Sequence, residues 1–176
     1  MKKNSFFKVR TLGLAVAAVL VTGTFSTTSF AGTQTADLAV SATVVSTCTL
    51  SASTAPFNNV DLSNAATLSG TGTLSVQCTN GASASIALSD GSHADAGSSA
   101  DTPLRRMVNG TDGEYLAYTI SQDSGNSVIW GYGAGNKLGY TGTGLLESKD
   151  VYLAITPGQN KTVGSYSDTV VATISF

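Results

Sequence analysis

Apolar and polar residues alternate with a period of two along most of the chain. This alternation is typical of β-strands that bury one face and expose the other. Apolar residues share a face in five stretches: Leu74, Val76 and Cys78; Ile86 and Leu88; Leu116, Tyr118 and Ile120; Val151, Leu153 and Ile155; and Val170, Ala172, Ile174 and Phe176. No stretch of about eleven residues has the spacing of an amphipathic helix. The pattern therefore predicts an all-β protein.

Glycine-containing turns separate the predicted strands. The turn pairs are Asn80-Gly81, Asp90-Gly91, Asn109-Gly110, Asp112-Gly113, Ser124-Gly125 and Pro157-Gly158. Short strands between such turns, in a chain of 176 residues, are typical of a β-sandwich. The glycine-rich stretch 131–144 is expected to be a long loop.

The last predicted strand leaves the sandwich incomplete. In an immunoglobulin-like topology the strand that runs from Tyr166 to Phe176 would be the sixth, and the seventh would be missing. We therefore expect an unpaired strand edge beside an open apolar groove, an arrangement that favours aggregation of a free protein.

A further alternating stretch, residues 35–45, lies near the other end of the chain, with Leu38, Val40, Ala42 and Val44 on one face. Two interpretations of it remain open. It is either additional strand sequence that completes a neighbouring molecule by β-strand addition, or part of a long first strand (residues 35–50) of a self-contained sandwich.

The charge content excludes several classes of protein. Charged residues make up 11% of the chain and the net charge is −2, whereas binding to nucleic acid requires a basic surplus. A zinc site requires about four Cys or His ligands, and the chain has two Cys and one His. The combination of low hydrophobicity and high net charge that marks disorder is also missing. One small globular domain remains.

The first 31 residues have the features of a secretory signal peptide. Four basic residues precede the apolar run 12–21, which is too short to span a bilayer. Ser29 and Ala31 supply the small residues for cleavage after Ala31. A short anchor helix that stays attached is the less favoured alternative. Cleavage leaves residues 32–176 with a net charge of about −6, which argues against binding to anionic lipid.

Export also determines how the two cysteines are interpreted. Cys48 and Cys78 are the only cysteines, and in an oxidising compartment we expect them to form one intramolecular disulfide. Closing a loop of about 31 residues stabilises a fold by about 3–4 kcal/mol in the chain-entropy model.

No catalytic residue or cofactor site is expected. His93 is the only histidine, and Ser92 and Asp95 are its polar neighbours in the same loop. Adjacent side chains in one loop rarely form the geometry of a catalytic triad, so we expect a solvent-exposed histidine. The glycines of the 131–144 stretch lack the strand–turn–helix context of a phosphate-binding loop.

Metal and sugar binding are weaker possibilities. The acidic pairs lack the ligand spacing of a known calcium motif; they are Asp90 with Asp95, and Asp112 with Glu114. Trp130, Tyr132 and Tyr140 could stack on a sugar, although packing within the core or a loop is the commoner role for such residues.

Short motifs along the chain resemble those of one known family and occur in its order. They are Val45-Ser46-Thr47-Cys48, Phe57-Asn58-Asn59-Val60-Asp61, residues 72–81, Leu88-Ser89-Asp90-Gly91, Arg105-Arg106-Met107, Leu116-Ala117-Tyr118, Trp130-Gly131 and residues 164–170. Together with the Cys pair and the terminal aromatic residue, they resemble the spore-coat protein U domain family, which includes subunits of archaic chaperone–usher pili. One departure is Thr156-Pro157-Gly158-Gln159, where the family usually has Pro-Ala-Gly-Gln.

The resemblance implies an incomplete immunoglobulin-like β-sandwich that lacks its last strand and is completed by donor-strand addition. It divides the chain into a signal peptide (1–31), an N-terminal donor segment (32–44) and a pilin domain (45–176). The donor side chains would be Leu38, Val40, Ala42 and Val44. The acceptor groove would be lined by Val170, Ala172, Ile174 and Phe176. A shift of one residue would turn the polar face of the donor inward.

The function implied is that of a structural shaft subunit of a surface pilus, which supports adhesion or biofilm formation. Its partners would be a periplasmic chaperone, an outer-membrane usher, and copies of itself or other pilins. The protein would pass through the periplasm to an extracellular fibre. A tip adhesin carries an additional receptor-binding domain, for which the mature chain leaves no room. Two alternatives remain open: a secreted monomeric binding module, and a spore-coat or cell-coat protein.

Overall fold

The computed structural model describes residues 31–58, 60–63 and 66–176. The predicted signal peptide lies outside the described residues, apart from Ala31. Within the described ranges the chain forms nine β-strands and no helix, which confirms the all-β prediction. Accordingly, this part of the chain contains no helix of the length and apolarity that a membrane crossing requires.

The nine strands form two antiparallel sheets. The strands are β1 (Cys48–Ala52), β2 (Leu68–Cys78), β3 (Ser83–Leu88), β4 (Arg105–Asn109), β5 (Tyr115–Ser121), β6 (Leu138–Thr141), β7 (Glu147–Ile155), β8 (Tyr166–Ser167) and β9 (Ala172–Ser175). The larger sheet has the order β1-β2-β7-β5-β4-β8, and the smaller has the order β6-β3-β9. Strands β1 and β8 are therefore the edges of the larger sheet, and β6 and β9 are the edges of the smaller one.

The core confirms the faces that the alternation predicts. Apolar residues from both sheets meet in one cluster, which makes the fold a sandwich; it includes Leu74, Val76, Ile86, Leu88, Leu116, Ile120, Val151, Leu153 and Ile155. Trp130 is fully buried in this cluster, and its indole Nε1 donates a hydrogen bond to the carbonyl of Ile86 at 3.0 Å. The indole therefore satisfies its one polar group within the core.

The structure corrects three expectations about individual stretches. The glycine-rich stretch 131–144 is not a single loop, because β6 (Leu138–Thr141) pairs with β3 inside it. The last predicted strand is divided: β8 belongs to the larger sheet and β9 to the smaller, with residues 168–171 crossing between them. Residues 35–47 form no strand and β1 begins at Cys48, which argues against the alternative of one long first strand over residues 35–50.

Candidate functional site

An open groove lies between one edge of each sheet. Strand β1 pairs only with β2, and β9 pairs only with β3, among the described residues. Beside the end of β1 at Ala52 and the start of β9 at Ala172 is a cavity of about 410 Å³, with residues 52–57 on one wall and residues 168–170 and Ala172 on the other. Its floor is mostly apolar and consists of Leu74, Leu88, Met107, Tyr118, Ile120, Val151 and Leu153, with Gly72 and Thr73 beside them. An apolar floor between two unpaired strand edges is suited to an additional strand.

The backbone of β9 defines the open edge. Ser89 N donates to Val171 O and Ser89 Oγ accepts from Val171 N, both at 2.9 Å, so Val171 is bonded toward β3. Backbone groups of successive residues in a strand point to opposite sides. The N–H and C=O groups of Val170, Ala172 and Ile174 therefore face away from β3, toward the edge that carries no strand.

The four predicted acceptor residues differ in their surroundings. Val170 and Ala172 line the cavity, and these two and Ile174 pack against the core cluster. Phe176 is 59% exposed and does not belong to that cluster. The structure thus brings Val170 and Ala172 together in the groove, while Ile174 in β9 and Phe176 just after it lie outside the cavity. Their role as an acceptor site stays a prediction.

The predicted donor residues are exposed. The chain divides into two units after Ser41, and the described part of the first unit, residues 31–41, forms no strand. Leu38 and Val40 are 87% and 86% exposed, and Val44, which follows the division, is 81% exposed. Ala42 is also exposed. Apolar side chains with this exposure gain free energy when they are buried, so the segment has the properties of a ligand for an apolar groove.

A disulfide fixes β1 at the edge of the larger sheet. Cys48 and Cys78 are bonded, as the sequence predicts, and they are register partners in the pairing of β1 with β2. Just before β1, Thr47 N donates to Thr79 Oγ1 at 3.2 Å and Thr79 N donates to Thr47 O at 3.0 Å. The groove wall that β1 provides is thus held at the point where the N-terminal segment leaves the sandwich.

The opposite wall is held by a buried carboxylate that the sequence did not single out. The Asp168 side chain is 2% exposed and accepts hydrogen bonds from Tyr118 OH at 2.7 Å and from Ser92 N at 2.9 Å. It also contacts His93 Nδ1 at 3.1 Å. Burial, followed by the bond to Asp168, raises the pKa of the Tyr118 phenol well above its usual range. The phenol therefore remains a hydrogen-bond donor at ordinary pH.

Arg105 is a second residue whose role was missed. Its side chain is buried, and it donates to the carbonyls of Ser89, Leu88 and Trp130 at 2.8, 3.1 and 2.8 Å. Burial lowers the pKa of this guanidinium, and the charges of nearby acidic groups partly offset that effect. The only available signal was the pair Arg105-Arg106 at the start of a short strand, in a chain with few charges.

A second cavity, of about 890 Å³, opens beside the first. The lining of this cavity comes mostly from residues 55–57, 60–63 and 158–166. It shares Ala55, Pro56, Phe57 and Met107 with the first cavity.

Within the Thr156–Gln159 turn, where the sequence departs from the family pattern, the Gln159 side-chain amide forms hydrogen bonds with both backbone groups of Ala117. Both are 2.9 Å long.

The structure places the candidate catalytic and metal residues in other roles. His93 is only 34% exposed at its side chain, which corrects the expectation of a solvent-exposed histidine, since Asp168 holds the ring. Glu114 accepts from Thr162 N, Thr162 Oγ1 and Tyr166 OH, and these hydrogen bonds, chiefly those from Thr162, lower its pKa. In the described part of the chain, no three His, Cys, Asp or Glu side chains are grouped as metal ligands would be.

The aromatic residues considered for sugar stacking are mostly inside the fold. Trp130 and Tyr140 are buried, and only Tyr132 is exposed, at 38%. A stacking platform requires an exposed ring face, so the prediction of core packing is confirmed for two of the three residues.

Comparisons with known proteins agree with this geometry. A model of the Spore Coat Protein U domain matches residues 34–173. Protein U of Myxococcus xanthus is 44% identical over 101 residues, which are 57% of this chain and 56% of that protein. A chain of the CsuC–CsuE chaperone–tip adhesion subunit pre-assembly complex, from archaic chaperone–usher Csu pili of Acinetobacter baumannii, has a similar fold. That likeness has a TM-score of 0.53 at 19% identity and covers 76% of this chain and 41% of that one. The chain thus spans about half the length of the proteins it matches.

Proposed function

Since the chain belongs to the Spore Coat Protein U domain family, we propose that it is a structural subunit of a surface fibre assembled by donor-strand exchange. In this proposal, residues 32–44 of one molecule occupy the groove between β1 and β9 of the next. The subunit is of the shaft type, because one chain carries both a donor segment and an acceptor groove. Its function is mechanical, with no catalytic step.

The observation that carries this proposal is the pairing of an open groove with an exposed, alternating apolar segment in one chain. The groove has unpaired strand edges on both sides and an apolar floor. The segment offers Leu38, Val40, Ala42 and Val44 on one face. At about 1.5–3 kcal/mol for each buried apolar side chain, four of them give about 6–12 kcal/mol before the cost of ordering the segment.

A subunit with an open groove also needs partners that cover the groove before assembly. An unpaired edge beside an apolar cavity aggregates unless it is covered, so a periplasmic chaperone that covers it and an outer-membrane usher that exchanges it belong to this proposal. The structure with the similar fold is described as a chaperone–subunit complex of a chaperone–usher pilus, which supports the same route. The fibre would lie outside the cell and act in adhesion or biofilm formation.

A coat layer is the second candidate, favoured by the family's description and by the identity with Protein U of Myxococcus xanthus. The same exchange of strands would then build a coat rather than a pilus. The third possibility, a monomeric sugar-binding module, is disfavoured because Trp130 and Tyr140 are buried.

The proposal is tested by measuring the oligomeric state of the exported chain, residues 32–176. The method is size-exclusion chromatography with light scattering. We compare this chain with a "complemented chain", which carries a second copy of residues 33–45 after Phe176 through a flexible linker. We expect a ladder of oligomers from the exported chain and a monomer from the complemented chain, because the linked copy fills the groove.

Val40→Asp and Ser41→Asp provide the matched variants. The first places a charge on the apolar face and should abolish the ladder, because an unpaired buried charge is costly. The second places the same charge on the opposite face and should leave the ladder unchanged. A stable monomer from the unmodified exported chain would sink the proposal, since it would show that the sandwich needs no partner.

A further inference from the structure

We propose that Asp168 is a positioning residue that holds the acceptor edge in place for the incoming strand. This inference rests on the proposed function, because it concerns the groove to which that function assigns the donor segment. Asp168 begins the crossover, defined here as residues 168–171, in which the chain leaves the larger sheet at β8 and enters the smaller sheet before β9.

The carboxylate connects the two sheets across the groove. Tyr118 belongs to β5 of the larger sheet, and its hydroxyl donates to Asp168 Oδ2 at 2.7 Å. Ser92 and His93 lie in the loop after β3 of the smaller sheet, and their contacts with Asp168 Oδ1 are 2.9 and 3.1 Å. A buried carboxylate requires such partners, because its desolvation is costly without them. Moving either sheet would therefore break hydrogen bonds to a charged group.

The loop after β3 is shaped to receive this carboxylate. Gly91 has φ of +85°, and a Cβ at this position would overlap Asp168 Oδ2. Only glycine adopts that backbone conformation easily and leaves the space open. Ser92 Oγ also donates to the carbonyl of Thr169 at 3.3 Å. The crossover is thus attached to the loop by its first two residues.

These attachments fix the part of the edge that borders the groove. Tyr118, Asp168, Thr169 and Val170 all line the groove. With Thr169 and Val171 bonded toward the β3 side, the backbone groups of Val170 are directed toward the open edge. Asp168 thereby prearranges the edge, which lowers the cost of ordering it when a strand binds.

The test measures strand binding separately from fold stability. A "donor-blocked chain" carries Leu38→Asp and Val40→Asp in the exported chain, so that its own segment does not fill grooves. A fluorescent synthetic peptide of residues 33–45 is titrated into it. In this background we compare Asp168→Asn and Tyr118→Phe with the control Asp123→Asn.

Asp123 is a matched control because it is also an aspartate with several hydrogen bonds, from Ser127 and Val128, and lines neither cavity. We expect Asp168→Asn to raise the apparent Kd of the peptide about tenfold, the factor that corresponds to one hydrogen bond to a charged group. Tyr118→Phe should raise it several-fold. Asp123→Asn should leave it unchanged.

The outcomes separate the inference from the proposed function. If the donor-blocked chain binds the peptide and Asp168→Asn binds it equally well, Asp168 contributes only to stability and the inference is wrong. Urea unfolding of the complemented chain then shows that contribution directly. If Asp168→Asn does not fold, the peptide titration of Tyr118→Phe tests the inference instead. This variant removes one hydroxyl and leaves the carboxylate in place. A donor-blocked chain that binds no peptide overturns the proposed function itself, and the inference with it.

Discussion

At the scale of single residues, a few buried polar side chains hold together segments that the apolar pattern alone would leave free. Arg105 connects the end of β3 to the segment around Trp130 through three carbonyl groups. A planar guanidinium presents its N–H groups in a fixed fork, which a lysine ammonium cannot reproduce. Carbonyls that lose such a donor inside the core remain unsatisfied, and this costs free energy.

We predict that Arg105→Lys lowers the free energy of unfolding of the complemented chain by about 2–3 kcal/mol, although the charge is kept. The neighbouring Arg106→Lys is the matched control. Arg106 also donates to two backbone carbonyls, but its side chain is 24% exposed and its partner Asp95 is 50% exposed. The control should therefore cost about 1 kcal/mol or less. Urea unfolding measures both values, and equal losses would contradict the special role of Arg105.

At the scale of elements, the edge strand β1 is held by its pairing with β2 and by the disulfide at its first residue. It has five residues, and its other edge carries no strand among the described residues. The Cys48–Cys78 bond closes a loop with a sequence separation of 30. By restricting the unfolded chain, such a loop contributes to stability independently of whether the groove is filled.

We predict that Cys48→Ala combined with Cys78→Ala lowers the free energy of unfolding of the complemented chain by about 3–4 kcal/mol under oxidising conditions. The same comparison under reducing conditions serves as the control, because the parent chain then lacks the bond as well. The two proteins should have nearly the same urea midpoint in reductant. A variant that matches its parent without reductant would show that the bond contributes nothing to this fold.

The strands also differ in how well the sequence could predict them. Alternation identified the buried faces of β2, β3, β5 and β7, because a period of two has one physical cause, burial of one face. It missed β6, since Leu138–Thr141 lies among glycines that indicate a loop. It also joined β8 and β9 into one strand, because no glycine or proline interrupts residues 166–176 where the chain changes sheets.

The role of Asp168 was beyond any local pattern for a related reason. Its partners Ser92 and His93 are separated from it by 76 and 75 residues, and Tyr118 by 50. Nothing in the spacing of these residues indicates that they meet. These residues come together only because the chain passes from the larger sheet to the smaller one beside the groove, which is a property of the tertiary structure.

At the scale of the whole molecule, the proposed assembly depends on which face of the donor segment each side chain occupies, because the donor would present alternate side chains to the groove. These four side chains share a face only if each is an even number of residues from the next; they are Leu38, Val40, Ala42 and Val44. A one-residue insertion between Val40 and Ser41 puts the first pair and the second pair on opposite faces. No sliding of the segment along β9 restores all four, since sliding moves both pairs equally.

We therefore predict that insertion of one serine at this point reduces the oligomer ladder of the exported chain to monomers and short or unstable oligomers. Insertion of Ser-Thr at the same point is the control, because two residues restore the phase and move Ala42 and Val44 along the groove by one side-chain repeat. This variant should recover a ladder, although a weaker one. Size-exclusion chromatography with light scattering compares the two. Equal ladders from both insertions would mean that alternate side chains do not determine binding, and the segment would then connect subunits as a tether rather than as a strand.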